Sequence, residues 1–175
     1  TSTKKVEAPL PLVLDIESYN RKVYEIANNP LSYASSTLPE NATVTSRYLW
    51  PVKTVYPKAG ALLPFKRIVA YYGNLYSKQM GALGEYPEDE MLSRLQAEVR
   101  KWEEADPTTP VVPALHYIAV TAQLAPGFDG KYRARMPYHQ IDKVLEMAKK
   151  IDAIVFIDIQ VGLSDIRDEL PIFEK

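Results

Sequence analysis

The stretch Ala153–Gly162, AIVFIDIQVG, constrains this chain more than any other. Read as a strand, it sends Ile154, Phe156, Asp158 and Gln160 to one side, and Val155, Ile157, Ile159 and Val161 to the other. The second side is wholly β-branched, as expected where helices cover a parallel sheet. The first side turns from apolar to polar toward its C-terminal end. Burying an Asp in an apolar strand is costly unless the carboxylate is paired or faces a cleft. Asp158 is therefore either a satisfied structural buttress or the floor of a site, and the sequence leaves both open.

Two more strands precede it. Arg67–Tyr72 (RIVAYY) ends at Gly73-Asn74, and Val111–Val120 (VVPALHYIAV) carries Pro113 as its one irregularity. Between them, Glu88–Ala105 places Met91, Leu92, Leu95, Val99 and Trp102 on one helical face, with Pro87 just before the helix. A second helix is expected from Tyr138 to Lys150 with Ile141, Val144, Leu145 and Ala148 inward. Ser164 or Asp165 is placed to cap a third, running toward Phe173. The order β-α-β-α-β-α predicts right-handed crossovers and a parallel sheet. Links from helix to strand are short, whereas those from strand to helix, Gly73–Pro87 and Ala119–Pro137, are long and rich in Gly, Pro, Tyr and Arg. Parallel α/β folds build their sites from such loops.

The region before these units is different. Thr1–Pro11 is polar and charged, and is expected to be a tether. A helix follows Asp15, with Ile16, Tyr19, Val23 and Ile26 at helical spacing and Asn28-Asn29-Pro30 as its stop. Leu31–Pro64 has no sustained period. It suggests an irregular cover, with an aromatic platform at Trp50 as the alternative; the Asn41-Ala42-Thr43 sequon is weak by itself. The expected organisation is thus an N-terminal extension over residues 1–64 and three βα units over residues 65–175.

Composition narrows the function. A formal charge of −1, with no basic block, argues against nucleic acid as the main partner. The absence of cysteine excludes disulfides, thiolate catalysis and Cys-based metal sites. No apolar run approaches the roughly 20 residues of a membrane span. After the first strand, Gly73-Asn74-Leu75-Tyr76-Ser77 matches neither dinucleotide nor P-loop fingerprints, so no cofactor is expected. No Ser has a G-x-S-x-G setting, and His116 and His139 lack metal-ligand spacing.

Two architectures remain. The expected one is part of a (β/α)8 TIM barrel, which takes about 250 residues, with an irregular N-terminal extension. The alternative is a small three-layer α/β protein. If Asp158 and Gln160 face inward, the matching rows are Val112, Ala114 and His116 on the second strand, and Ile68, Ala70, Tyr72 and Asn74 on the first. Tyr72, Asn74, His116, Asp158 and Gln160 then ring one end. Asp158 is the candidate catalytic carboxylate and the others candidate substrate contacts. Arg133 and Arg135, ahead of Met136-Pro137, either grip an anionic substrate or tie to a loop carboxylate.

The run Lys66–Asn74 (KRIVAYYGN) resembles the opening strand of glycoside-hydrolase-type TIM barrels. Leu75–Glu85 (LYSKQMGALGE), Pro113-Ala114-Leu115, Tyr132–Pro137 (YRARMP) and Phe156–Gly162 (FIDIQVG) resemble a group of poorly characterised exported bacterial proteins with such a barrel. The resemblance covers Leu62–Lys175. It implies a cell-envelope or extracellular location, with the cytoplasm as the alternative, and a carbohydrate-active role. The D-x-x-D-x-D-x-E pattern of chitinase-like barrels is missing. Glycoside hydrolysis also needs a second carboxyl group, for which Glu85 and Asp129 are the loop candidates. The competing expectation is a non-catalytic binding or structural subunit that self-associates through its N-terminal segment.

Overall fold

The computed structural model describes residues 13–26 and 55–174. The chain divides into two compact units, Thr1–Arg67 and Ile68–Lys175. In the first, helix α1 (Ile16–Ile26) begins where Asp15 accepts hydrogen bonds from the Ser18 amide at 3.0 Å and hydroxyl at 2.7 Å. That carboxylate satisfies an amide the first turn leaves without a partner. Tyr19 meets Tyr56 edge-on with ring centroids 5.6 Å apart, and Phe65 at 6.3 Å. The expected helix stop, Trp50 and the sequon lie outside the described residues, as does most of the N-terminal segment assigned to self-association.

In the second unit the order is β1 (Arg67–Gly73), α2 (Ala82–Glu85), α3 (Glu88–Ala105), β2 (Val111–Ala122), β3 (Arg133–Arg135), α4 (Tyr138–Lys150), β4 (Ile154–Ile159), α5 (Ile166–Glu169) and α6 (Pro171–Glu174). The long strand β2 is the axis: β1, β3 and β4 all pair with it. β4 runs parallel to β2, with Ala114 opposite Ile154 and His116 opposite Phe156, whereas β3 returns antiparallel, with Val120 opposite Arg135.

This mixed four-stranded sheet corrects the expected all-parallel sheet of βα units in a TIM barrel. The physical reason lies in the stretch read as one long strand-to-helix loop. β2 continues through Thr121-Ala122, and the chain then turns back, with Gly127, Gly130 and Tyr132 at positive φ, to lay Arg133–Arg135 beside it. Three residues with two arginines carry no period that marks a strand.

Side-chain parity follows the alternation. Val69, Tyr71, Leu115, Tyr117, Val155 and Ile157 pack with Met91, Leu95, Val144 and Met147 of α3 and α4 in the core. Burying those helix faces is what holds the helices on the sheet. Two expected inward positions differ: Trp102 is 46% and Leu145 43% exposed, and on α4 Met147 takes the buried place expected for Leu145. The opposite sheet face leaves Ala70, Tyr72 and Phe156 exposed.

The β1–α3 connection is held by main chain against main chain. A Cβ on Gly81 would overlap the Tyr72 carbonyl, and one on Gly84 would overlap the carbonyls of Asn74 and Ser77. At the far end, Asp165 and Asp168 form a reciprocal capping box that starts α5.

Candidate functional site

A register shift between Ile118 and Val120 gives β2 one more residue than β4 at the end of their pairing. Such a bulge re-aims the residues beyond it. Here it is buttressed by Asn74, which is 3% exposed: its Nδ2 donates to the Ile118 carbonyl at 3.0 Å and its Oδ1 accepts from the Tyr76 amide at 2.8 Å. Asn74, a candidate substrate contact, is thus engaged by backbone from two elements.

Past the bulge, the Gln160 amide donates to the Val120 carbonyl at 2.9 Å, and the Gln160 side chain reaches the end of β2. Its Oε1 accepts from the Ala122 amide at 3.0 Å. Fixing the oxygen end in this way aims Nε2 outward, where it donates to Asp158 Oδ2 at 3.2 Å and to the Tyr72 hydroxyl at 3.3 Å. The Tyr72 hydroxyl in turn donates to the same Oδ2 at 3.3 Å. Three side chains from β1, β4 and the residue after β4 thus close a triangle of hydrogen bonds. Burial, the Asp158 charge and the hydrogen bond to it all raise the Tyr72 pKa, so the phenol stays a donor.

Aromatic rings continue this face. His116 packs edge-on against Tyr72 with centroids 5.0 Å apart, and against Phe156 at 5.8 Å. The structure therefore brings together Tyr72, His116, Asp158 and Gln160 of the expected ring, and adds Phe156. Phe156 was legible as a neighbour, because it lies two residues before Asp158 on the same side of β4.

Arg133 and Arg135 belong to another cluster. Arg133, its side chain 4% exposed, donates to Glu169 Oε1 and to Asp129; Arg135 donates to Glu169 Oε2 at 2.7 Å. Ser164 adds a third donor to Glu169 at 3.0 Å. Burial alone would raise the Glu169 pKa, but hydrogen bonds from Arg135, Arg133 and Ser164 outweigh it and hold the carboxyl below its usual range. Glu169 carries no mark of this role in its neighbourhood along the chain, because its arginine partners lie 34 and 36 residues away. Beside this cluster, Arg135, Met136, Tyr138, Asp168 and Ile172 line a cleft of about 440 Å³, and Arg135 is already committed to Glu169.

Among the described residues, no group of three or more His, Cys, Asp or Glu side chains could hold a metal ion, and no helix is long and apolar enough to cross a membrane. Comparison with protein-family models, curated proteins and solved structures finds no match. The mixed sheet replaces the barrel that the resemblance implied, and no relative supports the glycoside-hydrolase-like, exported, bacterial or cell-envelope character it carried.

Proposed function

We propose that the open sheet face around Asp158 is a carbohydrate-binding surface, and that the chain is a binding module rather than a hydrolase. The observation that carries this reading is the Tyr72–Asp158–Gln160 triangle beside the exposed ring of Phe156 and the His116 ring. A sugar presents apolar C–H faces edged by hydroxyls. Aromatic side chains match the first, and a few convergent polar groups match the second.

Binding is favoured over hydrolysis by the state of the carboxylates. Hydrolysis takes two carboxyl groups, about 5–5.5 Å apart in retaining enzymes and about 6.5–9.5 Å in inverting ones. One loop candidate for the second, Asp129, is engaged elsewhere, holding Arg133.

Titration calorimetry of the full chain with a panel of neutral and charged oligosaccharides tests this reading, together with an assay for newly released reducing ends. Expected is binding of at least one glycan without bond cleavage, weakened about tenfold or more in Phe156→Ala. Absence of binding across the panel overturns the proposal. Release of reducing ends that disappears in Asp158→Asn overturns its non-catalytic part.

A further inference from the structure

Asp158 is held without a cation. Glu88, Glu90, Glu98, Asp129, Glu146, Asp165 and Glu169 each pair with a Lys or Arg. Among the described residues, Asp158 has no such ion pair; its partners are a phenol and an amide, both neutral and both on Oδ2. Its Oδ1 accepts no hydrogen bond from them. One carboxylate oxygen is thus left without a partner among the described residues.

The surroundings sharpen what that is. The Gln160 carbonyl already accepts from the Ala122 amide at 3.0 Å and the Thr121 hydroxyl at 3.4 Å, and its Nε2 already serves Asp158 and Tyr72. Toward a ligand, the polar end of this face therefore acts as an anionic acceptor. The rings of Tyr72, His116 and Phe156 lie on the same face, and Tyr and Phe ring faces attract cations through their quadrupole. An unpaired carboxylate next to aromatic faces suits an ammonium group.

Resting on the carbohydrate reading above, we propose that the preferred ligand is an amino sugar whose ammonium group meets Asp158 Oδ1, rather than a neutral or acidic glycan. A neutral hydroxyl can donate the same hydrogen bond but leaves the charge uncompensated. A uronic acid brings a second negative charge and is repelled.

The test uses the full chain and three probes of equal length: a glucosamine oligomer at a pH where its amines are protonated, the N-acetylated oligomer, and an oligomer of a uronic acid. Affinities are measured by calorimetry at two salt concentrations for wild type and Asp158→Asn, with thermal melts to confirm that the variant is folded. Expected is at least tenfold tighter binding of the glucosamine oligomer than of the acetylated one. That preference should shrink with added salt and vanish in Asp158→Asn. Equal affinity for the cationic and acetylated oligomers overturns the charge inference and leaves the carbohydrate reading standing. Cationic preference that survives in the folded variant overturns the assignment to Asp158, as does tightest binding of the uronic acid. Should the variant not fold, the wild-type preference and its salt dependence decide the matter alone. No binding by any probe removes this inference, and failure of the wider panel removes the reading beneath it.

Discussion

Glu169 and Asp158 are both carboxylates held by side chains from distant parts of one small unit, yet they are built in opposite ways. The Glu169 side chain is 1% exposed and receives two guanidinium groups and a hydroxyl. Asp158 is half-buried and receives two neutral donors. A buried carboxylate matched by cations has its charge balanced inside the fold, so its role is to tie β3 to α5. A carboxylate oriented by neutral donors is positioned without being neutralised. The difference teaches that hydrogen-bond count alone does not describe a carboxylate; the charge of the donors decides whether it is balanced within the fold.

The largest expected effect that can break this comparison is at the tie. Glu169→Ala leaves Arg133 buried without its main partner and is expected to cost about 3 kcal/mol, the low end for such pairs because Arg135 keeps half of its side chain in water. The midpoint of urea unfolding measures it, and an unchanged midpoint would show that the cluster is incidental.

Acid provides the next test. The Glu169 carboxyl is held below its usual range in the folded chain. Its contribution is therefore complete above the unfolded value of about 4.3, and is lost as pH falls through the lower folded value. Asp129, lowered chiefly by the Arg133 hydrogen bond, adds to stability in the same direction. Stability measured from pH 7 down to pH 2 should fall more steeply for wild type than for Glu169→Gln. Parallel profiles would remove Glu169 as the titrating group.

A smaller effect of opposite sign is expected at a third polar group. The Tyr117 hydroxyl is buried with no hydrogen-bond partner among the described residues, and burial pushes its pKa up to about 12. Tyr117→Phe removes that unsatisfied group and should leave the chain as stable or about 1 kcal/mol more stable. A loss of similar size would mean that the hydroxyl has a partner.

The smallest effect sharpens the comparison most. Asp158→Asn should change stability by no more than about 0.5 kcal/mol, the range of substitutions that disturb no structural network. Loss of more than about 2 kcal/mol would make Asp158 a buttress like Glu169, and its part in binding would then be decided by the wild-type measurements alone.

These contrasts were only partly legible in the sequence. The parity of β4 was, because its β-branched row opposite a mixed row marks the face that helices cover. On the condition that Asp158 and Gln160 face inward, it placed Tyr72, Asn74, His116, Asp158 and Gln160 at one end of a barrel wall, whereas the structure leaves that face of the sheet open at Ala70, Tyr72 and Phe156. The sheet's mixed topology was not legible: β3 owes its existence to a turn and to ion pairs with Glu169, neither of which leaves a periodic trace. Leu145 and Met147 show a finer limit. Both lie at the margin of the apolar stripe of α4, and its rotation over β2 and β4 decides which is buried. Asn74 looked like a loop residue free for a ligand because sequence cannot show the bulge whose carbonyl it satisfies.

The glycines of the β1–α3 connection set where this molecule can vary. Gly84 is required for nearness rather than for its own conformation: any side chain there would displace the carbonyls of Asn74 and Ser77, and Asn74 in turn holds the bulge beneath the site. A change of length or bulk in that loop would therefore travel directly into the floor of the Asp158 face. The turn between β2 and β3 has open space at its tip, where a Cβ on Gly130 would meet nothing within 4 Å, although its φ of 68° favours glycine. It also leaves β2 just after Ala122, the residue that orients Gln160. Insertions at that tip are therefore expected to be tolerated better than any in the 74–86 connection.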